Sequence, residues 1–252
     1  MSQTAHTTVD PAEIERFSRI AAEWWDPTGK FAPLHVLNPV RLQYIRDRVA
    51  AHHGRDALSG RPLEGLSLLD IGCGGGLISE PMARLGARVT GVDAAARNIA
   101  VAGLHAEGQG LAIDYRCSSA EALVAAGETY DVVLALEIVE HVADAPLFLE
   151  SLGRLVKPGG LLFLSTLNRT AKAWALAIVG AEYVLGWLPR GTHEWKKFLK
   201  PSEVARGLRA GGLEPQEMVG VVYSPLGRTW SLNARDLDVN YMLYATTTQP
   251  IG

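Results

Sequence analysis

Residues 68–76 read LLDIGCGGG, an apolar run that ends on the acidic Asp70 and breaks into Gly72, Gly74, Gly75 and Gly76 where the next helical pattern opens. A strand that enters a helix through a glycine turn lets the backbone come close to a ligand, and it is also the first half of a strand–helix–strand crossover. The texture then repeats. LSLLDI, ARVTGVD, AIDYRC, YDVVLAL and GLLFLST are β-rich runs separated by helical patterns, which reads as a doubly wound, mostly parallel sheet with helices on both faces. VGVVYSP and VNYMLYATTT add two strands that close the sheet as a hairpin-like pair, for a seven-stranded α/β fold.

Before Leu66 the pattern is helical. Asp10 can cap a helix with Pro11 at its first position, and Ile14, Phe17, Ala21 and Trp24 recur at helical spacing up to WWDP. Residues 1–9 are expected to be a loose tail. NPVRLQYIRDRVAAHH predicts a second helix with Pro39 near its start. The expected division is a tail and helical cap over 1–64 and an α/β domain over 65–252, with an insertion at about 170–200.

The chain has 252 residues and a formal charge of -3, with its arginines scattered. That balance argues against a nucleic-acid partner. Cys73 and Cys117 fall in different predicted elements, and the opening MSQTAHTTVDPAE has neither a basic nor an apolar leader segment. Both features predict a reduced, cytoplasmic chain.

Two carboxylates specify the ligand of the glycine turn. A dinucleotide fingerprint needs a third glycine where this chain has Leu77. Asp70 precedes the first glycine, where it would repel a pyrophosphate but can engage the cationic methionine portion of S-adenosylmethionine (SAM). Asp93 ends the next strand, about 20 residues on, where a carboxylate can accept both hydrogen bonds of a ribose diol. LLDIGCGGG, VTGVD, YDVVLALEIVEH and LVKPGGLLFLST, in that order, resemble the successive motifs of class I SAM-dependent methyltransferases. The resemblance implies a Rossmann-like fold with Gly72, Gly74 and their loop on SAM, Asp93 on the ribose, Ser119, Ala120 and Glu121 near the adenine, and Leu136 lining the cofactor site.

The flanking segments are more particular. WWDPTGKFAPLHVLNPVRLQYI, the stretch STLNRTAKAWALAIVGAEYVLGWLPRGTHEWKKFLKP, and DVNYML resemble the bacterial ubiquinone biosynthesis O-methyltransferases, from Glu13 to Tyr244. That resemblance implies methyl transfer to ring hydroxyls of polyprenyl phenols and catechols, at the 2-polyprenyl-6-hydroxyphenol and the 3-demethylubiquinol steps. It assigns Arg41 to SAM binding and makes other quinone-biosynthesis proteins candidate partners. Other readings are a methyltransferase for another small hydrophobic acceptor, a SAM-binding module without catalysis, and a dehydrogenase.

A phenol of pKa about 10 is a poor nucleophile at neutral pH, so its proton must be drawn off by a general base or a divalent cation. LEIVEHV, residues 136–142, suits either. If the chain turns helical after Leu136, Glu137, Glu140 and His141 fall at i, i+3 and i+4 on one side. The family resemblance implies Mg²⁺ with Glu137, Glu140 and His141 as ligands. His141 is then expected to be a ligand, and a free base only where no metal is used.

Residues 174–188, WALAIVGAEYVLGWL, are apolar apart from Glu182, with Lys172 before and Arg190 after. At about 1.5 Å per residue the run is too short to span a bilayer core comfortably. It predicts a helix over the active site. For a polyprenyl acceptor it becomes an interfacial lid, with Trp174, Tyr183 and Trp187 in the inner leaflet and Arg190, Lys196, Lys197 and Lys200 on anionic head groups. The expected location is cytoplasmic, peripheral to the inner face of the cytoplasmic membrane.

Overall fold

The five predicted parallel strands form as β1 (Ser67–Ile71), β2 (Arg88–Asp93), β3 (Asp114–Cys117), β4 (Tyr130–Leu136) and β5 (Val156–Leu167) in a computed structural model. The structure describes residues 7–176, 194–224, 227 and 229–247. Strands β6 (Leu213–Ser224), β7 (Thr229–Asn233) and β8 (Asn240–Thr247) complete one sheet of order β3-β2-β1-β4-β5-β8-β6-β7. Pairing is parallel from β3 to β5 and antiparallel from β5 outward. The predicted closing pair is present as the antiparallel β6 and β8. Among the described residues, however, the sheet has eight strands rather than seven. The extra strand, TWSLN, is mostly exposed at the sheet's outer edge on β6, so no apolar run marks it in the sequence.

The apolar strands are buried on both faces, which is why they read as continuous runs. In β4, Val133 and Ala135 join one core and Val132 and Leu134 the other, and in β5 Leu162 and Leu164 oppose Leu161 and Phe163 in the same way. Helices α5 (Ala120–Ala125), α6 (Ala145–Leu155) and α7 (Pro201–Ala210) cover the first face through Leu123, Phe148, Leu152 and Leu208. Helix α2 (Ala32–His52) covers the second through Leu37, Tyr44, Ile45 and Val49, with Met82 of α3 (Ser79–Arg84) beside it. The N-terminal cap therefore shares the sheet's core.

Three expectations about local structure change. Helix α2 begins at Ala32, which leaves Pro39 inside it. Lacking an N–H, that proline forgoes only its bond to the carbonyl four residues earlier, and the packing of the long apolar face outweighs this loss. Residues 1–6 lie outside the described residues, but Thr8 of the expected loose tail is 2% exposed. Its N–H donates to Glu121 Oε1 (2.8 Å) and its carbonyl accepts from Ala143 N–H (2.8 Å). After Leu136 the chain forms only a 3₁₀ turn, Val139–His141, because Glu137 takes a positive φ of 51° and breaks any helix at its start.

Candidate active site

The carboxyl ends of the parallel strands open into one cavity of about 1400 Å³. At one end stand the loops after β1, β2 and β3. Asp70 is 3% exposed and its Oδ2 accepts from Ser79 Oγ (2.6 Å). Burial, and next the charge of Asp93, push its pKa up to about 6, while the Ser79 bond pulls the other way. Asp93 ends β2 and holds the glycine turn: its Oδ2 accepts from Gly74 N–H (3.0 Å), and its Oδ1 from Ala95 N–H (2.8 Å) and Asn98 Nδ2 (3.2 Å). Burial raises its pKa too, against those bonds.

The cap reaches this end. Trp24, 8% exposed and stacked on Phe31 at 3.7 Å, lies over Gly74 and Gly75, and its Nε1 donates to Asn98 Oδ1 (3.0 Å). Trp25 Nε1 donates to Gly75 O (2.9 Å), and its ring stacks on His105 of α4 (Ala96–Gly108) at 3.5 Å. Both tryptophans of WWD therefore clamp the glycine turn.

An ionised Asp70 facing a bound cation is favoured, whereas a protonated Asp70 must first lose its proton. Its folded-state pKa of about 6 sets the window. SAM affinity is expected to rise with pH through about 6 and level off above it. Calorimetric titration at about pH 5 and about pH 7.5 should show that slope, and Asp70→Asn should flatten it to what Asp93, its pKa also raised by burial, contributes. Equal slopes in the two proteins would sink the assignment.

At the other end lie the ends of β4, β5 and β8, facing α2. Glu137 Oε1 accepts from Arg41 Nη2 (2.6 Å), Ser165 Oγ (2.7 Å) and Asn240 Nδ2 (3.1 Å). Arg41 is 2% exposed, and burial lowers its pKa against the pull of Glu137 and Glu140. Glu140 is buried behind the wall: its Oε2 accepts from Thr166 Oγ1 (2.8 Å), and its Oε1 has no partner. Burial, and next the charge of Glu137, push its pKa well up. His141 Nδ1 lies 3.2 Å from Glu13 Oε2 and 3.3 Å from Arg16 Nη2, with Phe17 edge-on to its ring. These contacts come from α1 (Pro11–Ile20). Burial pushes the Glu13 pKa up, but the bond to His141 and the charges of His141, Arg16 and Lys197 outweigh it and hold the carboxyl low.

Arg41, Asp70, Gly72, Gly74, Asp93, Ser119, Ala120, Leu136, Glu137 and His141 all line the cavity. Two of the expected residues do not. Glu121 turns to Thr8, and Glu140 turns to Thr166. Arg41 lines the cavity from an ion pair with Glu137. Among the described residues no group of three His, Cys, Asp or Glu is arranged to hold a metal ion. Glu137, Glu140 and His141 occupy separate hydrogen-bonding sets because the positive φ at Glu137 and the 3₁₀ turn replace the expected helix. Sequence reasoning missed Asn98, Asn38 and Asn240 as cavity residues. They carry no motif of their own, although Asn38 and Asn240 fall in NPVR and DVNYML.

The expected apolar helix at 174–188 lies largely outside the described residues, as do Tyr183, Trp187 and Arg190. Trp174 and Leu176 are 49% and 53% exposed, and no helix of the described residues is long and apolar enough to cross a membrane. Lys197 is committed to Asp10 (3.1 Å), and Lys172 to Asp236 and Asp238 (each 3.2 Å).

A family model described as a methyltransferase domain matches residues 69–164. The ubiquinone biosynthesis O-methyltransferase of Parvibaculum lavamentivorans is 60% identical over 243 residues, 96% of each chain. The protein of the same name from Sinorhizobium medicae is 59% identical over 245 residues, 97% of this chain and 98% of that one. Among solved structures, magnesium protoporphyrin IX methyltransferase from Synechocystis, with SAH bound, has a TM-score of 0.60 at 21% identity, covering 94% of this chain and 95% of that one. The last likeness concerns the fold.

Proposed function

Because the chain belongs to the ubiquinone biosynthesis O-methyltransferases and is a SAM-dependent methyltransferase, we propose that it methylates ring hydroxyls of polyprenyl phenols and catechols at the two O-methylation steps of that pathway. The observation that carries this reading is a single cavity joining the Asp70–Asp93 end to the Arg41–Glu137 end, with Leu34, Leu37, Val221 and Trp230 in its walls. The polar ends suit a cofactor and a ring hydroxyl, and the walls suit a lipophilic tail. Along the glycine turn Asp70 would hold the cationic portion of SAM and Asp93 its ribose, with Leu136 beside them and Arg41, on the wall of the same cavity, as the further SAM-binding residue. The acceptor oxygen attacks the methyl carbon in line with the sulfur. An O–C bond forms, the S–C bond breaks, S-adenosylhomocysteine leaves, and the phenolic proton is lost.

Glu137, Glu140 and His141 remain the proposed ligands of a magnesium ion. The unpartnered Glu140 Oε1, with Glu137 near enough to raise the Glu140 pKa, supports an oxygen-donor site. Occupying it through Glu137 Oε2 would leave Oε1 on Arg41, Ser165 and Asn240, whereas His141 would have to leave Glu13 and Arg16. Such an ion would supply charge that stabilises the phenolate. A second reading is favoured by the Glu13–His141 contact: with Glu13 orienting the ring through Nδ1, His141 takes the phenolic proton itself.

Peripheral membrane contact rests on the exposed Trp174 and Leu176, with Lys196 and Lys200 as the basic contribution since Lys197 is engaged by Asp10. Cytoplasmic placement and association with quinone-biosynthesis proteins belong to the same reading.

One experiment addresses these points. Purified protein is incubated with SAM and a short-chain demethylated ubiquinol, with Mg²⁺ or with a chelator, and with anionic vesicles that are afterwards sedimented. The expected result is methylation of a ring hydroxyl, loss of most activity on chelation, and salt-reversible sedimentation. No methylated product would refute the function. Rates that survive chelation would move the proton to His141. Protein left in the supernatant would reject the membrane contact.

A further inference from the structure

The end of the cavity at β8 contains polar groups that the mechanism above leaves unused. Asn240, at the start of β8, is 5% exposed and lines the cavity. Its Nδ2 donates to Glu137 Oε1, while its Oδ1 is buried and has no partner. The amide cannot be turned the other way, because its oxygen would then face the carboxylate oxygen. Asn38 of α2 lies three positions before Arg41, is 6% exposed, lines the same cavity, and also has a buried Oδ1 without a partner.

The Asn240 amide oxygen is thus held in the cavity wall as an acceptor lacking a donor, and Asn38 adds a second buried amide oxygen without a partner to the lining. A buried acceptor left unmade is costly, so such groups are completed by water or by a ligand's hydroxyl. An amide oxygen is far too weak a base to take a phenolic proton. It can hold a neutral O–H in place, and it offers nothing to a hydrogen-free position. The location fits an acceptor rather than the cofactor. In the sheet order, β1, β4 and β5 separate Asn240 on β8 from the Asp93 end at β2, and Val221, the register partner of Asn240, continues the wall as apolar surface.

Building on the function proposed above, we propose that Asn240, with Asn38 lining the same cavity, is the specificity-determining subsite of the acceptor. Its amide oxygen accepts a hydrogen bond from the ring hydroxyl that is not being methylated. The enzyme therefore selects dihydroxylated rings over monohydroxylated ones of the same size. Glu137 has a positioning part in this: held by Arg41 and Ser165, it grips the Asn240 nitrogen and fixes the direction of the oxygen.

The test compares a short-chain catechol with the phenol that carries the same tail but lacks the second hydroxyl. The kcat and KM of both are measured in the wild type, Asn240→Leu and Asn38→Leu, and their dissociation constants are measured by calorimetry on the SAH complex. In Asn240→Leu the ratio of catechol to phenol kcat/KM is expected to fall about tenfold or more, chiefly through the catechol KM. SAH affinity and melting temperature report whether the fold and the cofactor end survive. A fall of both acceptors by the same factor, with the ratio intact, would show a merely structural role and overturn the proposal. If Asn240→Leu does not fold, the ratio in Asn38→Leu decides by the same criterion. If the wild type methylates neither compound, the function proposed above fails, and the calorimetric preference for catechol then judges the subsite alone. Equal binding of the two rings overturns it.

Discussion

Gly74→Val is expected to weaken SAM binding by about a hundredfold or more. Gly74 has a φ of +54°, a region closed to β-branched residues without strain, and a Cβ there would lie 2.3 Å from a ring carbon of Trp24. Its N–H is also one of the bonds that orient Asp93. Valine must displace Trp24 from Asn98, move the turn, or both. The left-handed conformation costs about 1–2 kcal/mol, and overpacking adds about 1–3 kcal/mol. If the turn relaxes in the free protein, binding must restore this conformation, and the sum then brackets the 2.7 kcal/mol or so that corresponds to a hundredfold change. Calorimetry with S-adenosylhomocysteine measures it. Gly103→Ala is the control, since a Cβ at that helical position meets nothing within 4 Å. It should bind normally and melt slightly higher. Near-normal binding by Gly74→Val would mean that the turn is not the cofactor's cradle.

Arg41→Met is expected to be strongly destabilising, because it breaks the buried pair at the Arg41–Glu137 end of the cavity. Arg41 and Glu137 have side-chain exposures of 3% and 20%, and their 2.6 Å contact is reinforced by Ser165 and Asn240 on the same carboxylate oxygen. Removing one partner leaves the other charge largely buried and uncompensated, which costs about 3–5 kcal/mol. For a chain of this size that corresponds to a fall in melting temperature of roughly 6–20 °C. Arg41 also pulls the Glu140 pKa down, so its loss drives Glu140 further toward the neutral form. Arg41→Met combined with Glu137→Gln should recover most of the loss, since a neutral amide needs no counter-ion. That recovery, or its absence, is read from thermal melts. A single variant that melts within about 2 °C of the wild type would show that the pair contributes little to the fold.

Both predictions concern contacts that join distant parts of the chain, and this decides how much was legible beforehand. The strands β1 to β5 could be read because each is a local apolar run with a sharp polar end. Asp70, Gly72, Gly74 and Asp93 could be read because strand end, turn and helix start are adjacent in sequence, so their places relative to one another follow from local geometry. Strand β7 could not. Its side chains are mostly exposed, and only its pairing with β6 makes it a strand.

The stretch LEIVEHV shows the same division within seven residues. Its position after β4, on the wall of the cavity, follows from the strand before it. Its conformation does not. Helical spacing would put Glu137, Glu140 and His141 on one side, but Glu137 is drawn to a positive φ within a site made by Arg41, Ser165 and Asn240. Thr166 and Glu13 then take the other two side chains in different directions.

By itself the amino-acid sequence determined the alternating α/β architecture, the glycine turn with its two carboxylates, and the family, because each is written in residues a few positions apart or in motifs kept in order along the chain. The tertiary structure alone decided which polar groups meet: the cap's Trp24 on the glycine turn, Arg41 and Asn240 on Glu137, and which amide oxygens, those of Asn38 and Asn240, are left without a partner. These pairings depend on burial and on contacts between segments up to a hundred or so positions apart. A side chain's nearest charge in a folded protein is set by packing, and local pattern carries no record of it.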